Sequence, residues 1–214
     1  MRCGKRDVYI GILFLVLFVI WTILIQTVDV QMIGVNGTKV GFSFLNQAFH
    51  TLTGCNMTLY FVTDWLGLVP LIVCCIFGRL GLFQLIKRRS LFKVDKDILL
   101  LGIYYFVVIV LYLVFEMFPI NYRPILIEGR MEASYPSSTT LLVLSVMPTL
   151  MIQISRRLNN HRFKRVIYVF TVIFILFMII SRLISGVHWF TDIIGSIMLS
   201  MGLVYIYKGG LYGI

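Results

Sequence analysis

Charge is scarce in this chain of 214 residues: only 13% are Asp, Glu, Lys or Arg, and the nine acidic residues are outnumbered by nineteen basic ones. Cysteine is scarce too. The four present, Cys3, Cys55, Cys74 and Cys75, are too few and too irregularly spaced for a disulfide scaffold or a thiolate metal site. Cys74 and Cys75 sit in an apolar run and read as free thiols packed as small hydrophobes. Glycine (17) and proline (5) follow no period, which excludes a collagen-like fibre. The shortage of polar residues excludes a disordered chain and an ordinary soluble domain. What fills the sequence is apolar, with 59% hydrophobic residues and a mean hydropathy of +0.95, the composition of a protein that resides in lipid.

The net charge of +10 does not mark a nucleic-acid partner, because the basic residues lie between apolar runs and not on one polar face. A bilayer core about 30 Å thick takes about 20 helical residues. Six runs qualify: Val8 to Val28, Leu59 to Phe77, Ile98 to Phe118, Thr139 to Ile154, Val166 to Leu183 and Trp189 to Tyr207. They predict an all-α fold, an integral membrane six-helix bundle forming a single membrane domain over 1–214. Within it, 1–97 holds two N-terminal spans with interfacial segments and 98–214 a four-helix core. The first run follows Arg2, Lys5 and Arg6, lacks a small-residue cleavage site, and reads as a retained anchor.

Positive residues stay cytoplasmic. The N-terminus, Gly78 to Asp97, Ser155 to Arg165 and the C-terminal end together hold fifteen Lys and Arg, against four in the alternate segments (Lys39, Arg123, Arg130, Arg182). Both termini are therefore expected inside, with 29–58, 119–138 and the turn around 185–188 outside. Leu45, Ala48, Phe49 and Leu52 recur at helical spacing and predict a short interfacial helix. Leu82 to Arg89 reads as a basic stretch over anionic lipid. Asn36-Gly37-Thr38 and Asn56-Met57-Thr58 match the short glycosylation pattern.

Charged residues at membrane depth are functional by default, and here they gather. Glu116 closes the third run, Arg123 follows in the next loop, Arg182 closes the fifth, and His188 and Asp192 open the sixth. With six spans, these connections emerge on one face. His188 and Asp192 are four apart, which on a helix lets the carboxylate orient one imidazole nitrogen and leave the other free to attack. Arginine clamps phosphoryl oxygens through its planar fork. Two arginines beside an oriented histidine suggest phosphoryl transfer. Tyr135 to Thr139 leads into the fourth run, whose helix start adds an anion site, although Ser137 and Thr139 suit helix caps equally well. His50 and His161 lie outside the cluster and read as solvated.

These residues resemble the phosphatidic acid phosphatase type 2 superfamily. Ser181-Arg182, His188 and Asp192 fit its third signature, SRxxxxxHxxxD; Arg123-Pro124 fits the end of the first, KxxxxxxRP; Pro136-Ser137 fits the start of the second, PSGH. The resemblance covers Glu116 to the C-terminus. It implies a metal-independent phosphatase that needs no cofactor. Its partner is the bilayer and its substrate a membrane lipid phosphate or diphosphate, cleaved through a phosphohistidine on His188 at the extracytoplasmic face. In that reading Asp192 orients, and Arg123, Arg182 and Ser137 bind phosphate.

Two positions depart from the family. Glu116 stands where the first signature has lysine, and Thr139 where the second has histidine, after Ser138 in place of glycine. That second histidine protonates the leaving group in the family, and general acids contribute about 10²–10⁴ in rate. Threonine is far too weak an acid for this, so diphosphate lipids, whose departing phosphate is stable as an anion, suit the chain better than phosphatidic acid. Glu116 lowers the pocket's positive charge. Four alternatives stay open for it: a buried acid, a partner of Arg130 or Arg123, a pocket for a phosphodiester suited to head-group transfer, or a lipid-binding protein without turnover. A transporter is a weaker rival, because the charges lie at helix ends and not at the midplane.

Overall fold

A computed structural model describes residues 2–212. Eight helices follow one another: α1 Arg2–Thr27, α2 Ser43–Thr53, α3 Met57–Leu66, α4 Leu68–Arg88, α5 Lys96–Met117, α6 Ser138–Arg157, α7 His161–Ile184 and α8 Phe190–Leu211. No strand is present among the described residues, and α3 and α4 meet at Gly67 to form one long span. Six helices are therefore long and apolar enough to cross a membrane. This is an all-α, multi-pass membrane protein, as the six apolar runs foretell.

The span boundaries differ most in the second run, which extends from Met57 to Arg88 instead of stopping at Phe77. Arg79 does not end the helix, because a long basic side chain can carry its charge away from the apolar stem. Basic residues in the last turn also favour the helix dipole. The stretch read as a basic interfacial segment is therefore the end of α4. Its terminus is held by Arg88 on Asp95 (2.8 Å) and by Gln84, whose Nε2 donates to the same carboxylate at 2.8 Å. Arg157 at the end of α6 reaches Asp97 at 2.7 Å.

The most enclosed helices are α6 and α8, with about half of each span buried (50% and 56%) against 17% for α1. They form the axis around which the others pack. Pro148 lies within α6, and α5 supplies bonds beside it: Tyr104 donates to the carbonyl of Ser145 (2.9 Å), and the Tyr105 hydroxyl pairs with Thr149 (2.8 Å).

The helix α1 runs antiparallel to α8 on a stripe of glycines. A Cβ on Gly11 would stand 2.8 Å from the carbonyl oxygen of Gly202, and one on Gly209 would stand 2.8 Å from that of Gly4. Small residues let backbones approach closely inside lipid. Lys208 pairs with the buried Asp7 at 3.3 Å beside this contact, so the start of α1 and the end of α8 share one end of the bundle.

At the opposite end, α2 packs over the start of α8. Asn46 donates to Gly41 O (2.8 Å) and to Thr191 Oγ1 (3.0 Å), and accepts from the Thr191 amide (3.2 Å). The outer face of α2 exposes Phe44, Leu45 and Leu52, while Phe49 packs on Phe190. The short helix expected from the spacing is present. Cys55 and Cys75 are exposed and Cys74 half-buried. The expected packing of both Cys74 and Cys75 as core hydrophobes therefore fails for Cys75, which points to the apolar exterior.

Candidate active site

Between α5 and α6 the chain folds back on itself. Arg123 N donates to Glu132 O (3.1 Å), Ser134 N to Asn121 O (2.9 Å), and Glu128 and Gly129 make the turn with positive φ. This hairpin places Arg123 beside Glu132, with Nη2 3.2 Å from Oε2, and turns the Ser134 carbonyl toward His188.

The turn between α7 and α8 is equally fixed. Asn56 N donates to Ser185 O at 2.9 Å, and Ser185 Oγ to Arg182 O at 2.8 Å. Gly186 has φ +68, and a Cβ there would stand 1.9 Å from the Gly54 carbonyl oxygen. Only glycine fits, by conformation and by space.

His188 leaves this turn ahead of α8 and is 3% exposed. Its Nδ1 lies 3.1 Å from Ser134 O. A carbonyl only accepts, so Nδ1 carries the proton and Nε2 the lone pair. Nε2 is buried and has no partner among the described residues. Burial, then the charges of Arg123 and Arg182, push the His188 pKa well below its ordinary value, opposed by the Ser134 carbonyl. This shift favours the neutral imidazole.

The helix begins at Phe190, after His188, so the pair is not stacked on a helix as the four-residue spacing suggested. Asp192 Oδ2 accepts from the Trp189 amide at 2.9 Å, capping α8. It stands 3.8 Å from His188 Nδ1, beyond hydrogen-bond reach.

Arg182 is 1% exposed. Nη1 reaches Thr63 Oγ1 at 3.3 Å, Nη2 reaches Asp64 Oδ1 at 3.3 Å, and Nη2 also donates to Thr139 Oγ1. Tyr60 lies under both guanidinium groups, 5.0 Å from Arg182 and 5.5 Å from Arg123, and cation–π attraction holds the two like charges together. Buried nitrogens remain without partners on both arginines: Nε and Nη1 of Arg123, and Nε of Arg182. Unsatisfied donors of this kind are costly, and the charges of both arginines act on His188. Such a set suits a multi-oxygen anion.

The other sequence candidates lie at the margin. The Ser137 hydroxyl is fully buried and pairs with Thr140 Oγ1 at 3.0 Å, while Thr139 touches Arg182. Glu116 is exposed and forms no ion pair among the described residues. It is thus neither the buried acid nor the partner of Arg123, which is Glu132. His50 is half-buried and edge-on to Trp189 (5.7 Å), and burial lowers its pKa; the reading as solvated does not hold for it. Sequence reasoning missed Tyr60, Thr63, Asp64 and the Ser134 carbonyl, and it considered Glu132 as an alternative acid without seeing its pairing with Arg123. Only Asp64 left a signal, as an acid inside an apolar run.

The fold and cluster define a membrane protein that gathers two buried arginines and a neutral histidine at one end of its bundle. The PAP2 superfamily model matches residues 100–210, and the chain belongs to that superfamily. The resemblance read from the three signatures therefore holds. The fold is similar to the crystal structure of the first transmembrane PAP2 type phosphatidylglycerolphosphate phosphatase from Bacillus subtilis. The TM-score is 0.68 and the identity 20%, over 96% of this chain and 98% of that one. No curated protein sequence matches the chain.

Proposed function

We propose that this chain is a membrane lipid phosphatase that cleaves a lipid phosphate or diphosphate through a phosphohistidine on His188. The observation that carries this reading is the tautomer: Nδ1 is committed to Ser134 O at 3.1 Å, so Nε2 presents its lone pair beside two arginines with unpartnered nitrogens. Membership of the PAP2 superfamily and the likeness to a phosphatidylglycerolphosphate phosphatase support it.

In this mechanism Arg123 and Arg182 bind the phosphoryl oxygens and neutralise charge as it develops. Their carboxylate partners, Glu132 and Asp64, have side chains 36% and 58% exposed, against 9% and 1% for the arginines. The acids are free to turn outward while the guanidinium groups stay fixed, so substrate oxygens take their place. Nε2 attacks phosphorus, the leaving group departs, and water hydrolyses the phosphoenzyme. Asp192 steadies the start of α8, and Ser137 supports α6 through Thr140.

The whole chain acts as one membrane unit, because Tyr60, Thr63 and Asp64 come from the first 97 residues and complete the pocket of the last four spans. Fifteen of the nineteen basic residues fall in the segments at the end where α1 starts and α8 finishes, a distribution that supports cytoplasmic termini and an extracytoplasmic site. A second reading, a lipid-binding member without turnover, draws on Thr139, which supplies no proton. Phosphate release from lipid phosphates and diphosphates in detergent, with and without chelator, separates the two. Turnover lost in His188→Ala and unaffected by chelator supports the enzyme; no release from any lipid supports the binder.

A further inference from the structure

The second signature leaves the chain without a histidine to protonate the departing oxygen, yet a carboxyl group stands at that place. Asp64 lies in the last turn of α3, and its Oδ1 is 3.3 Å from Nη2 of Arg182. Thr139 Oγ1 accepts from that same nitrogen. The side chain at the second-signature position and the carboxylate thus converge on a single atom of the clamp.

The far side of Asp64 opens on a cleft of about 480 Å³ between α4, α5 and α6, walled by Leu68, Leu71, Val108, Ile109, Leu113 and Leu142. A lipid phosphate held with its phosphoryl group on the arginines and its chain along this apolar wall has its bridging oxygen at the boundary between the two, beside Asp64. The other carboxylates are placed elsewhere. Glu116 is exposed and borders a separate small cavity with Tyr135, Pro136 and Ser138, not the apolar cleft; Glu132 is on Arg123, and Asp192 is fully buried and committed to the Trp189 amide.

We propose that Asp64 is the proton donor to the leaving oxygen, an assignment that rests on the phosphatase reading above. The incoming phosphate displaces the carboxylate from Arg182, and the acid takes up a proton from water as it turns toward the cleft. His188 Nε2 then forms a bond to phosphorus. The bond between phosphorus and the bridging oxygen breaks, its electron pair goes to that oxygen, and the Asp64 proton follows. In the second half-reaction water attacks phosphorus and gives its proton to the Asp64 carboxylate, the P–N bond breaks with its pair returning to Nε2, and Asp64 releases to solvent the proton it took up at the start as it pairs again with Arg182. The products are the lipid alcohol and inorganic phosphate, and the enzyme is restored.

A leaving-group comparison tests this. Wild type, Asp64→Asn, Asp64→Glu and His188→Ala are assayed in detergent on phosphatidic acid, whose alkoxide leaves only with a proton, and on p-nitrophenyl phosphate, whose phenolate leaves without one. The expected result is that Asp64→Asn loses about 10²–10⁴-fold on phosphatidic acid and no more than about threefold on p-nitrophenyl phosphate, the pattern of a removed general acid. Asp64→Glu recovers part of the loss, and His188→Ala abolishes both activities. Turnover of p-nitrophenyl phosphate also reports that the variant is folded. Equal losses on both substrates overturn the assignment and make Asp64 a positioning residue for Arg182; no loss on phosphatidic acid overturns it outright. In both cases the phosphatase reading stands as long as wild type is active and His188→Ala is not. Inactivity of wild type on every substrate sinks that reading, and this one with it.

Discussion

His188 donates its Nδ1 proton to the backbone carbonyl of Ser134, 3.1 Å away, while the carboxylate of Asp192 keeps a distance of 3.8 Å. The imidazole is thus oriented by a hairpin backbone and not by an acid. Where a carboxylate sets the tautomer of a catalytic histidine, its amide costs about 10⁴ in rate. Here Asp192→Asn retains an oxygen for the Trp189 amide, and kcat is expected to fall by no more than about tenfold. Steady-state kinetics on a lipid diphosphate check this, and a loss near that larger figure shows that Asp192 closes on His188 in the substrate complex.

The proposed phosphohistidine on His188 has a signature of its own. Rapid quench of the wild type with labelled lipid phosphate should trap a protein-bound phosphoryl group that is stable in base and lost in acid. The label should be absent from His188→Ala and from Arg182→Ala, the second because the clamp that presents phosphorus to Nε2 is gone.

Burial and the neighbouring arginines lower the His188 pKa in the folded chain. Between that lowered value and the ordinary value near about 6.5, the unfolded chain holds a proton that the folded chain does not. The stabilisation is therefore complete above about pH 6.5 and is lost as pH falls through the window below it. Thermal unfolding in detergent from pH 7.5 to about 4.5 reads this effect, and His188→Asn should show a shallower decline than wild type.

Tyr60 carries both arginines on one ring. Each cation–π contact is worth about 0.5–2 kcal/mol, so Tyr60→Leu, which removes both, should weaken substrate binding by about fivefold to about 10³-fold, seen mainly in KM. Tyr60→Phe keeps the ring and should stay close to wild type. Equal effects of the two substitutions show that the hydroxyl, and not the ring, matters.

Glu116 makes no contact with the clamp, so Glu116→Gln should leave kcat/KM nearly unchanged. Gly186→Ala is the opposite case. The positive φ alone costs about 1–3 kcal/mol in a residue with a side chain, and the Gly54 carbonyl at 1.9 Å from the new Cβ adds to it. Folded yield and thermal stability should both drop sharply.

Six spans were legible because apolar runs of bilayer length are separated by clusters of Lys and Arg, a pattern that survives errors at the ends. The second span shows where it fails: Arg79 reads as a terminator in a linear scan, yet the helix carries it through to Arg88. The grouping of Arg123, Arg182 and His188 was legible from their position at helix ends and from the signatures. The orientation of His188 was not, because the acceptor is a main-chain oxygen of Ser134, which no residue type betrays. Tyr60 and Asp64 were hidden for another reason. They lie more than a hundred positions from Arg182, on a span outside the signatures, and only the packing of α3 against α7 brings them to the guanidinium.

The glycine contact between α1 and α8 leaves no room for a methyl group on either backbone. Alanine at Gly11 or Gly209 would push the two helices apart, and because α2 and the start of α8 are tied through Asn46 and Thr191 at the far end, a wedge driven in beside the termini would be felt along the whole length of α8.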